Sequence, residues 1–198
     1  MIVGNKVYLR PIVRDDLVNL NKWKNDSEIY KYLGGGFMPV SIDQQLKWLD
    51  SYIDTTGNNK RFIICQVEGD QAIGMIGLYD INWIHRVCEI GVFIGDRQVR
   101  GKGYAKEACQ LLEFFASEYL NLRKIKLSVV SENKQAIKLW NSLGYQIVGE
   151  YLAERFIEGS YQNVTLMEKF TKKSIGGGRL TSCLPYLEGI TFKGRWAA

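Results

Sequence analysis

A change of hydrophobic period around residues 97–108 constrains the fold of this chain more than any other feature. A run of strand-forming residues, Val87–Ile94, precedes the change, and apolar residues at helical spacing begin at Tyr104 after it. The segment RQVRGKGYAKEA between them holds two glycines and several cations, and Val99 is its only apolar residue before the helical pattern begins. A strand, a glycine loop and a helix in this order predict an α/β domain in which helices connect the strands of one sheet.

Further strand and helix patterns flank this unit on both sides. Before it, strands are predicted over residues 7–10, 61–67 and 72–79, with one helix capped by Asp15 or Asp16 and another by the capping box of Ser41 and Gln44. After it, the pattern predicts a helix, a strand, a short helix and three strands, over residues 104–119, 124–130, 134–141, 145–151, 154–157 and 161–170. We therefore predict one α/β (α+β) domain over residues 1–170, with helices flanking a mixed sheet of about seven strands.

The net charge of +5 belongs mainly to the last part of the chain. Residues 171–198 carry five basic side chains and one acidic one, whereas residues 1–170 carry 21 basic and 20 acidic side chains and are nearly neutral. The near-neutral charge of residues 1–170 argues against a nucleic-acid-binding protein. In the basic C-terminal tail, 171–198, a glycine triplet at 176–178 precedes a stretch with no clear period. This is typical of a flexible tail; an arm that binds nucleic acid or a partner is the alternative.

The sequence predicts no membrane span, no metal site and no disulfide framework. No stretch approaches 18 consecutive apolar residues, and the first 13 residues lack the pattern of a secretory signal. The four cysteines have no C-x-x-C spacing, and Cys65, Cys88 and Cys109 lie in apolar strand or helix patterns. We therefore expect reduced core cysteines in a cytoplasmic protein.

The loop at 97–108 has the composition of an anion-binding site. The first amides of a helix lack intrahelical partners, Gly101 and Gly103 let a ligand approach the backbone, and the basic side chains add positive charge. A solvated surface turn is the alternative. Two familiar phosphate motifs fail, because Tyr104 stands where a P-loop needs serine or threonine, and Lys106 where a dinucleotide fingerprint needs glycine or alanine.

Three segments together resemble the GNAT family of N-acetyltransferases. Residues 98–105 (QVRGKGYA) resemble its Q/R-x-x-G-x-G/A signature, and residues 89–94 (EIGVFI) stand where its central strand lies. Residues 133–145 (NKQAIKLWNSLGY) resemble its N-x-x-A-x-x-x-Y-x-x-x-G-F segment. The resemblance extends over roughly residues 5–170 and implies the GNAT fold.

Within that family, other segments are similar to the ribosomal-protein and spermidine branch. They are residues 7–11 (VYLRP), 82–86 (NWIHR) and 156–167 (FIEGSYQNVTLM). Residues 23–26 (WKND) are also similar to amino-sugar acetyltransferases. The resemblance therefore indicates the reaction more firmly than it indicates the acceptor.

The resemblance implies acetyl-CoA as cosubstrate. The thioester carbonyl of acetyl-CoA would form a hydrogen bond with the backbone near Phe93. The backbone amides of Ile94 and of residues 98–105 would hold the pantetheine and the pyrophosphate. Asn133 would contact the cofactor arm or cap a helix, and Trp140 would pack against that arm or only in the core. The predicted cofactor-binding residues are Phe93, Ile94, Gln98, Val99, Arg100, Gly101, Lys102, Gly103, Tyr104, Ala105, Asn133 and Trp140.

Two residues are candidates for proton transfer from the attacking amine. Glu89, on the central strand, would accept the proton through a water with its pKa raised by burial; an ion pair with Arg86 or another cation is the alternative. His85, the only histidine, is the second candidate because an imidazole has an intrinsic pKa suited to proton transfer. The alternative is a structural or exposed loop histidine. Trp140 replaces the tyrosine that the family often uses as a general acid, and an indole N–H is no practical proton donor.

The predicted activity is acetyl-CoA-dependent transfer of an acetyl group to a primary amine by direct attack, with a polyamine or other small amine ranked first. A protein N-terminus of the ribosomal-protein type, an amino sugar and a non-catalytic acyl-CoA-binding module are the alternatives. Glu28, Glu150 and Glu154 would offer negative charge to a cationic amine, or are solvated carboxylates. The expected partners are a small amine or a peptide N-terminus, with no membrane and no nucleic acid, and a homodimer is left open.

Overall fold

The computed structural model describes residues 1–33, 36–52 and 57–171 of the chain. Eight strands form one sheet in the order β1-β2-β3-β4-β5-β6-β8-β7. The strands are β1 (Ile2–Val3), β2 (Val7–Arg10), β3 (Lys60–Gln66), β4 (Ala72–Asn82), β5 (Val87–Ile94), β6 (Lys124–Val130), β7 (Gln146–Ile157) and β8 (Ser160–Phe170). The α-helices are α1 (Leu17–Lys24), α2 (Ser27–Tyr30), α3 (Ile42–Tyr52), α4 (Tyr104–Glu118) and α5 (Lys134–Ser142).

The mixed α/β sheet with flanking helices confirms the predicted fold class. The structure has one strand more than the seven predicted. The additional strand is β1, whose two residues are too few to show a period in the sequence. The predicted strands at 145–151 and 154–157 form the single strand β7, whose pairing shifts between Tyr151 and Arg155, where Ala153 has a φ of 50°. The basic tail predicted at 171–198 lies outside the described residues, except for Thr171.

The two predicted helix caps have different outcomes. Ser41 and Gln44 form the predicted capping box, since the Gln44 amide donates to Ser41 Oγ (3.2 Å) and the Ser41 amide donates to Gln44 Oε1 (2.7 Å). Asp16 does not cap α1 with its side chain. Its buried carboxylate instead accepts hydrogen bonds from the Arg10 guanidinium (2.7 Å) and from the Val13 amide (2.8 Å).

The sheet opens at its one parallel strand pair. Strand β5 pairs with β6 only at its start, where Val87–Glu89 lie beside Lys124–Lys126. Beyond that point β5 stays paired with β4 as far as Ile94, and β6 stays paired with β8 as far as Val130. The two halves of the sheet therefore diverge, and a gap opens between the second half of β5 and the second half of β6.

Each face of the sheet carries its own apolar cluster. One cluster joins the sheet to α4 and α5, and its β5 and β6 members include Ile90 and Leu127. The other joins the opposite face to α1, α2 and α3, and includes Trp23 with Phe93 packed against it. Side chains of successive strand residues alternate between faces, so each diverging strand presents residues to both sides of the gap.

Candidate active site

The gap between β5 and β6 is the floor of a cleft of about 1030 Å³. This volume is at the upper end for small-molecule sites, and it fits a large ligand together with a second one. Val92, Ile94 and Leu127 line it from the face that carries α4 and α5, whereas Glu89, Phe93 and Ser128 line it from the face that carries α1 to α3. The cleft therefore passes through the sheet from one face to the other.

The backbone of β5 faces the gap at alternate residues. The Gly95 amide donates to the Ile73 carbonyl on β4 (2.8 Å), whereas the Arg86 carbonyl accepts from the Arg123 amide beside β6 (2.8 Å). Because the backbone groups of successive strand residues point to opposite sides, those of Val92 and Ile94 face the gap and those of Phe93 face β4. The backbone contact predicted near Phe93 would therefore be made by Val92 or Ile94. Phe93 itself lines the cleft with its ring.

The glycine loop lies against the α4 side of the cleft. Gly101 and Gly103 have φ angles of 78° and 87°, a left-handed conformation that favours glycine. No atom lies within 4 Å of the position that a Gly101 Cβ would occupy. Gly103 is the N-cap of α4 and has no side chain to cap the first amides, so those amides remain available to an anion.

Two predicted loop residues do not line the cleft, Gln98 and Lys102. The Gln98 amide is already used, because it donates to the Asp96 carboxylate (2.9 Å). The Lys102 carbonyl accepts a hydrogen bond from Lys6 Nζ (3.3 Å). Arg100 lines the cleft but turns its guanidinium toward the Ile94 carbonyl (3.1 Å). Of the residues predicted to contact the anion, Gly101, Gly103, Tyr104 and Ala105 line the cleft where α4 begins.

Helix α5 lines the α4 side of the cleft with the two residues predicted from the second motif. Asn133 caps the helix, since its Oδ1 accepts from the Ala136 amide (3.1 Å), and its Nδ2 still offers two donors. Trp140 is buried, lines the cleft and packs edge-on against the Tyr145 ring, with ring centroids 5.1 Å apart. The helix cap of Asn133 and the core packing of Trp140 are therefore present, and both side chains also line the cleft in which the cofactor arm is predicted to lie.

Glu89 lines the cleft on the face opposite α4. Its Oε1 lies 3.3 Å from Lys126 Nζ on the neighbouring strand, and 40% of its side-chain surface is exposed. The ion pair that was the alternative for Glu89 is therefore present, with Lys126 rather than Arg86 as its partner. The predicted burial of Glu89 is not found, because its side chain is only partly covered.

The remaining predicted residues are only partly brought together. Glu28 lines the cleft and pairs with Lys31 (3.3 Å). His85 lies in the exposed turn after β4 and does not line the cleft, and its backbone amide donates to Asn82 Oδ1 (2.8 Å). Glu150 and Glu154 lie exposed on β7, also away from the cleft lining, and Glu150 accepts a hydrogen bond from Ser131 Oγ (2.8 Å).

Several cleft residues had no signal in the sequence analysis. Tyr30 packs edge-on against Phe93, and burial raises its pKa to about 12. Burial also raises the pKa of Tyr79. Arg155 reaches in from β7 and donates to the Tyr32 carbonyl (3.2 Å). Lys6 Nζ, beside the glycine loop, would lie 3.7 Å from a Cβ at Gly103. Arg155 and Lys6 are each about 100 residues from their partners in the chain, so no local pattern could reveal them.

Within the described ranges, no group of three or more histidine, cysteine, aspartate or glutamate side chains is arranged to hold a metal ion. Among the same residues, no helix is long and apolar enough to cross a membrane.

Comparisons with known proteins agree with this architecture. A family model described as the acetyltransferase (GNAT) domain matches residues 6–146. The spermidine N(1)-acetyltransferase of Escherichia coli K12 is 32% identical over 165 residues, covering 83% of this chain and 86% of that protein. The putative ribosomal N-acetyltransferase YdaF of Bacillus subtilis is 23% identical over 146 residues, covering 71% of this chain and 77% of that protein.

A solved structure adds a three-dimensional match. The crystal structure of spermidine N-acetyltransferase from Vibrio cholerae in complex with CoA and spermine matches with a TM-score of 0.77 and 28% identity, covering 84% of this chain and 96% of that one. The predicted resemblance to the spermidine and ribosomal branch is confirmed. Since the family model spans more than half of the sequence and the family's glycine loop borders the cleft, the chain belongs to the GNAT family and is an acetyltransferase.

Proposed function

We propose that this enzyme transfers the acetyl group of acetyl-CoA, the donor used by its family, to a primary amine of a small polyamine. One observation carries the proposal: the cleft passes through the sheet, with the glycine loop and the start of α4 on one face and the Glu28 and Glu89 carboxylates on the other. A donor held along β5 in the gap presents its thioester where an amine from the opposite face can reach it. Such positioning is a large part of the catalysis of a two-substrate reaction.

The α4 side would hold the donor. The amides of residues 101–105 lie at the positive end of a 15-residue helix and fit a pyrophosphate, and Lys6 adds a positive charge beside them. The backbone groups of Val92 and Ile94 that face the gap fit the amides of an extended pantetheine arm, as they would fit an added strand. Asn133 offers its Nδ2 to the same arm.

A carboxylate on the opposite face of the sheet would accept the proton of the amine. Attack joins the amine nitrogen to the carbonyl carbon, and the amine must then lose a proton. We assign the acceptance of that proton to Glu89, through an intervening water, with Lys126 holding the carboxylate in position. The Val92 amide, which faces the gap, donates a hydrogen bond to the carbonyl oxygen as negative charge develops on it.

The last step breaks the C–S bond, and the thiolate leaves with the bonding electron pair. The family often has a tyrosine at the position of Trp140, but the indole N–H is too weak an acid to protonate a thiolate. We propose that the thiolate departs unassisted and takes its proton from solvent. The role of Trp140 is then to form the wall beside the pantetheine arm.

Replacing Trp140 by phenylalanine tests that role. We expect Trp140→Phe to keep kcat within about threefold of wild type, less than about 1 kcal/mol of activation free energy. The measurement is single-turnover acetyl transfer at saturating acetyl-CoA. Trp140→Tyr is the companion variant, since it restores the family's usual residue and should not lower the rate. A loss of about 100-fold in Trp140→Phe would show that the indole N–H takes part in the reaction.

A panel of amines tests the acceptor. The polyamine assignment rests on the spermidine acetyltransferases of Escherichia coli and Vibrio cholerae and on the Glu28 and Glu89 carboxylates that line the acceptor side. We expect spermidine to give a kcat/KM at least about tenfold above those of peptide N-termini and amino sugars, read by thiol release and product mass. A higher kcat/KM for a peptide N-terminus or an amino sugar than for spermidine would assign the acceptor to that class instead. CoA binding without thiol release for every amine would refute the transfer itself.

Three further expectations belong to this proposal. We propose residues 1–170 as the acetyltransferase domain and residues 171–198 as a basic tail outside it. We also place the protein in the cytoplasm, because the thiols of Cys65, Cys88 and Cys109 are buried and free, a state typical of a reducing compartment. The partners are the donor and a small amine, with no membrane and no nucleic acid.

A further inference from the structure

A second, smaller pocket of about 150 Å³ lies between helices α1 and α3 and the sheet. It shares Tyr30, Met75, Tyr79 and Phe93 with the main cleft, so these four side chains form a common wall. A cavity of this volume accommodates a group the size of a six-carbon ring. Of the predicted cofactor-binding and proton-transfer residues, only Phe93 lines it.

Gln45 on α3 gives the first indication that this pocket takes a polar ligand. Its side chain lines the pocket and is 2% exposed, yet neither Oε1 nor Nε2 has a hydrogen-bond partner among the described residues. Buried amide groups nearly always have partners, because leaving them without one costs folding free energy. A ligand with a hydrogen-bonding group would supply the missing partner.

The charge of the pocket indicates the sign of that ligand. Lys24 and Arg61 both line it, and no carboxylate forms a salt bridge with either of them within residues 1–33, 36–52 and 57–171. Burial, and to a smaller extent the charge of Arg61, lowers the pKa of Lys24. Two like charges in one partly buried pocket repel each other, and a bound anion would remove that repulsion.

Aromatic rings give the pocket an apolar wall and fix its cations. Trp48 stacks on Tyr52 with an interplanar angle of 7°. The Arg61 guanidinium lies 5.5 Å from the Trp48 ring, 4.9 Å from Tyr52 and 5.1 Å from Tyr79, and Lys24 Nζ lies 5.5 Å from Trp48. These contacts hold the two cations in place, so an anion would meet charges that are already oriented.

We propose that this pocket binds a small organic carboxylate, with Lys24 and Arg61 contacting the carboxylate, Gln45 Nε2 donating a hydrogen bond to it and the apolar part against Trp48. The carboxylate can belong to a free acid or to the amine acceptor itself, because the pocket and the cleft share a wall. Binding at this site does not depend on the acetyl transfer proposed above. It adds a ligand class opposite in charge to a polyamine.

Calorimetric titration of the full chain with benzoate tests the proposal, with benzamide as the neutral ligand of the same shape. We expect benzoate to bind and to raise the unfolding temperature progressively with its concentration, and benzamide to do neither up to about 10 mM. Equal behaviour of the two ligands, or no binding of either, would overturn the proposal. Neither result bears on whether acetyl-CoA is a donor, so the two proposals fail separately.

Variants locate the binding. Lys24→Gln should weaken benzoate binding at least about tenfold, the effect of losing one charge-assisted hydrogen bond. Lys22→Gln, on the exposed side of the same helix, should leave it unchanged. Gln45→Leu should also weaken benzoate binding about tenfold, without lowering the unfolding temperature, because an amide without a partner is replaced by an apolar group. Equal affinity in Lys24→Gln and wild type would contradict the assignment.

Competition distinguishes the two sources of the carboxylate. If the acceptor carries it, γ-aminobutyrate should be acetylated and benzoate should compete with it. If a separate acid occupies the pocket, benzoate should bind without competing with any amine that accepts the acetyl group. Both outcomes keep the carboxylate site, and each assigns it to one source.

Discussion

Gly101→Ala is expected to raise the KM for acetyl-CoA about 100-fold while the protein stays folded. Gly101 has a φ of 78°, which an alanine adopts only with strain, and the space beside it is open toward the cleft. The strain costs about 1 kcal/mol of folding free energy. The larger effect falls on the ligand, because a methyl group would stand where the pyrophosphate must contact the loop amides. The measurements are KM, the Kd of CoA by calorimetry and the unfolding temperature.

Gly69→Ala is a matched control for this variant. Gly69 has a φ of 82° in the turn between β3 and β4, and no atom lies within 4 Å of the position of its missing Cβ. The backbone strain is therefore nearly the same, but Gly69 does not line the cleft. We expect a similar loss of stability and an unchanged KM. An equal change of KM in both variants would mean that strain in the fold, rather than the loop at 101–105, controls binding of the donor.

Glu89→Gln is expected to lower kcat about 100- to 1000-fold with little change in the Kd of CoA, the loss that follows removal of a general base. The substitution keeps the size of the side chain and removes its capacity to take a proton. The residual rate should rise more steeply with pH than the rate of wild type, because at high pH more of the amine has already lost its proton. A rate within about threefold of wild type would refute the assignment of Glu89.

Lys126→Met separates the base from the ion pair. Lys126 Nζ lies 3.3 Å from Glu89 Oε1, and both side chains are more than one third exposed, so the pair contributes little stability. If Glu89 acts as the base, Lys126→Met should lower kcat far less than Glu89→Gln and should keep the pH profile of wild type. Equal losses in the two variants would indicate that the ion pair itself shapes the site. Glu150→Gln, away from the cleft lining, serves as the control for removal of a carboxylate.

The parts of the fold that depend on local spacing were predicted well. Strand β6 and helix α5 begin at the residues that their periods indicated, and β5 has the predicted bounds. The glycine conformation at Gly101 and the helix cap at Asn133 also follow from local requirements, because a left-handed φ and a helix cap each demand particular residue types. The cap predicted at Asp15 or Asp16 is not formed by the Asp16 side chain, because its carboxylate is already bonded to the Arg10 guanidinium and the Val13 amide.

The sequence alone determined the family, most of the elements and the glycine loop before α4, since each follows from the period and residue type within about twenty neighbouring positions. Only the tertiary structure decided where β5 and β6 part, that the cleft crosses the sheet, and which side chains meet on the acceptor side. Arg155 reaches Tyr32 across 123 positions, and the pocket of Gln45 is assembled from three helices and three strands. Such contacts depend on how strands pair and helices pack, and no local pattern of residues encodes them.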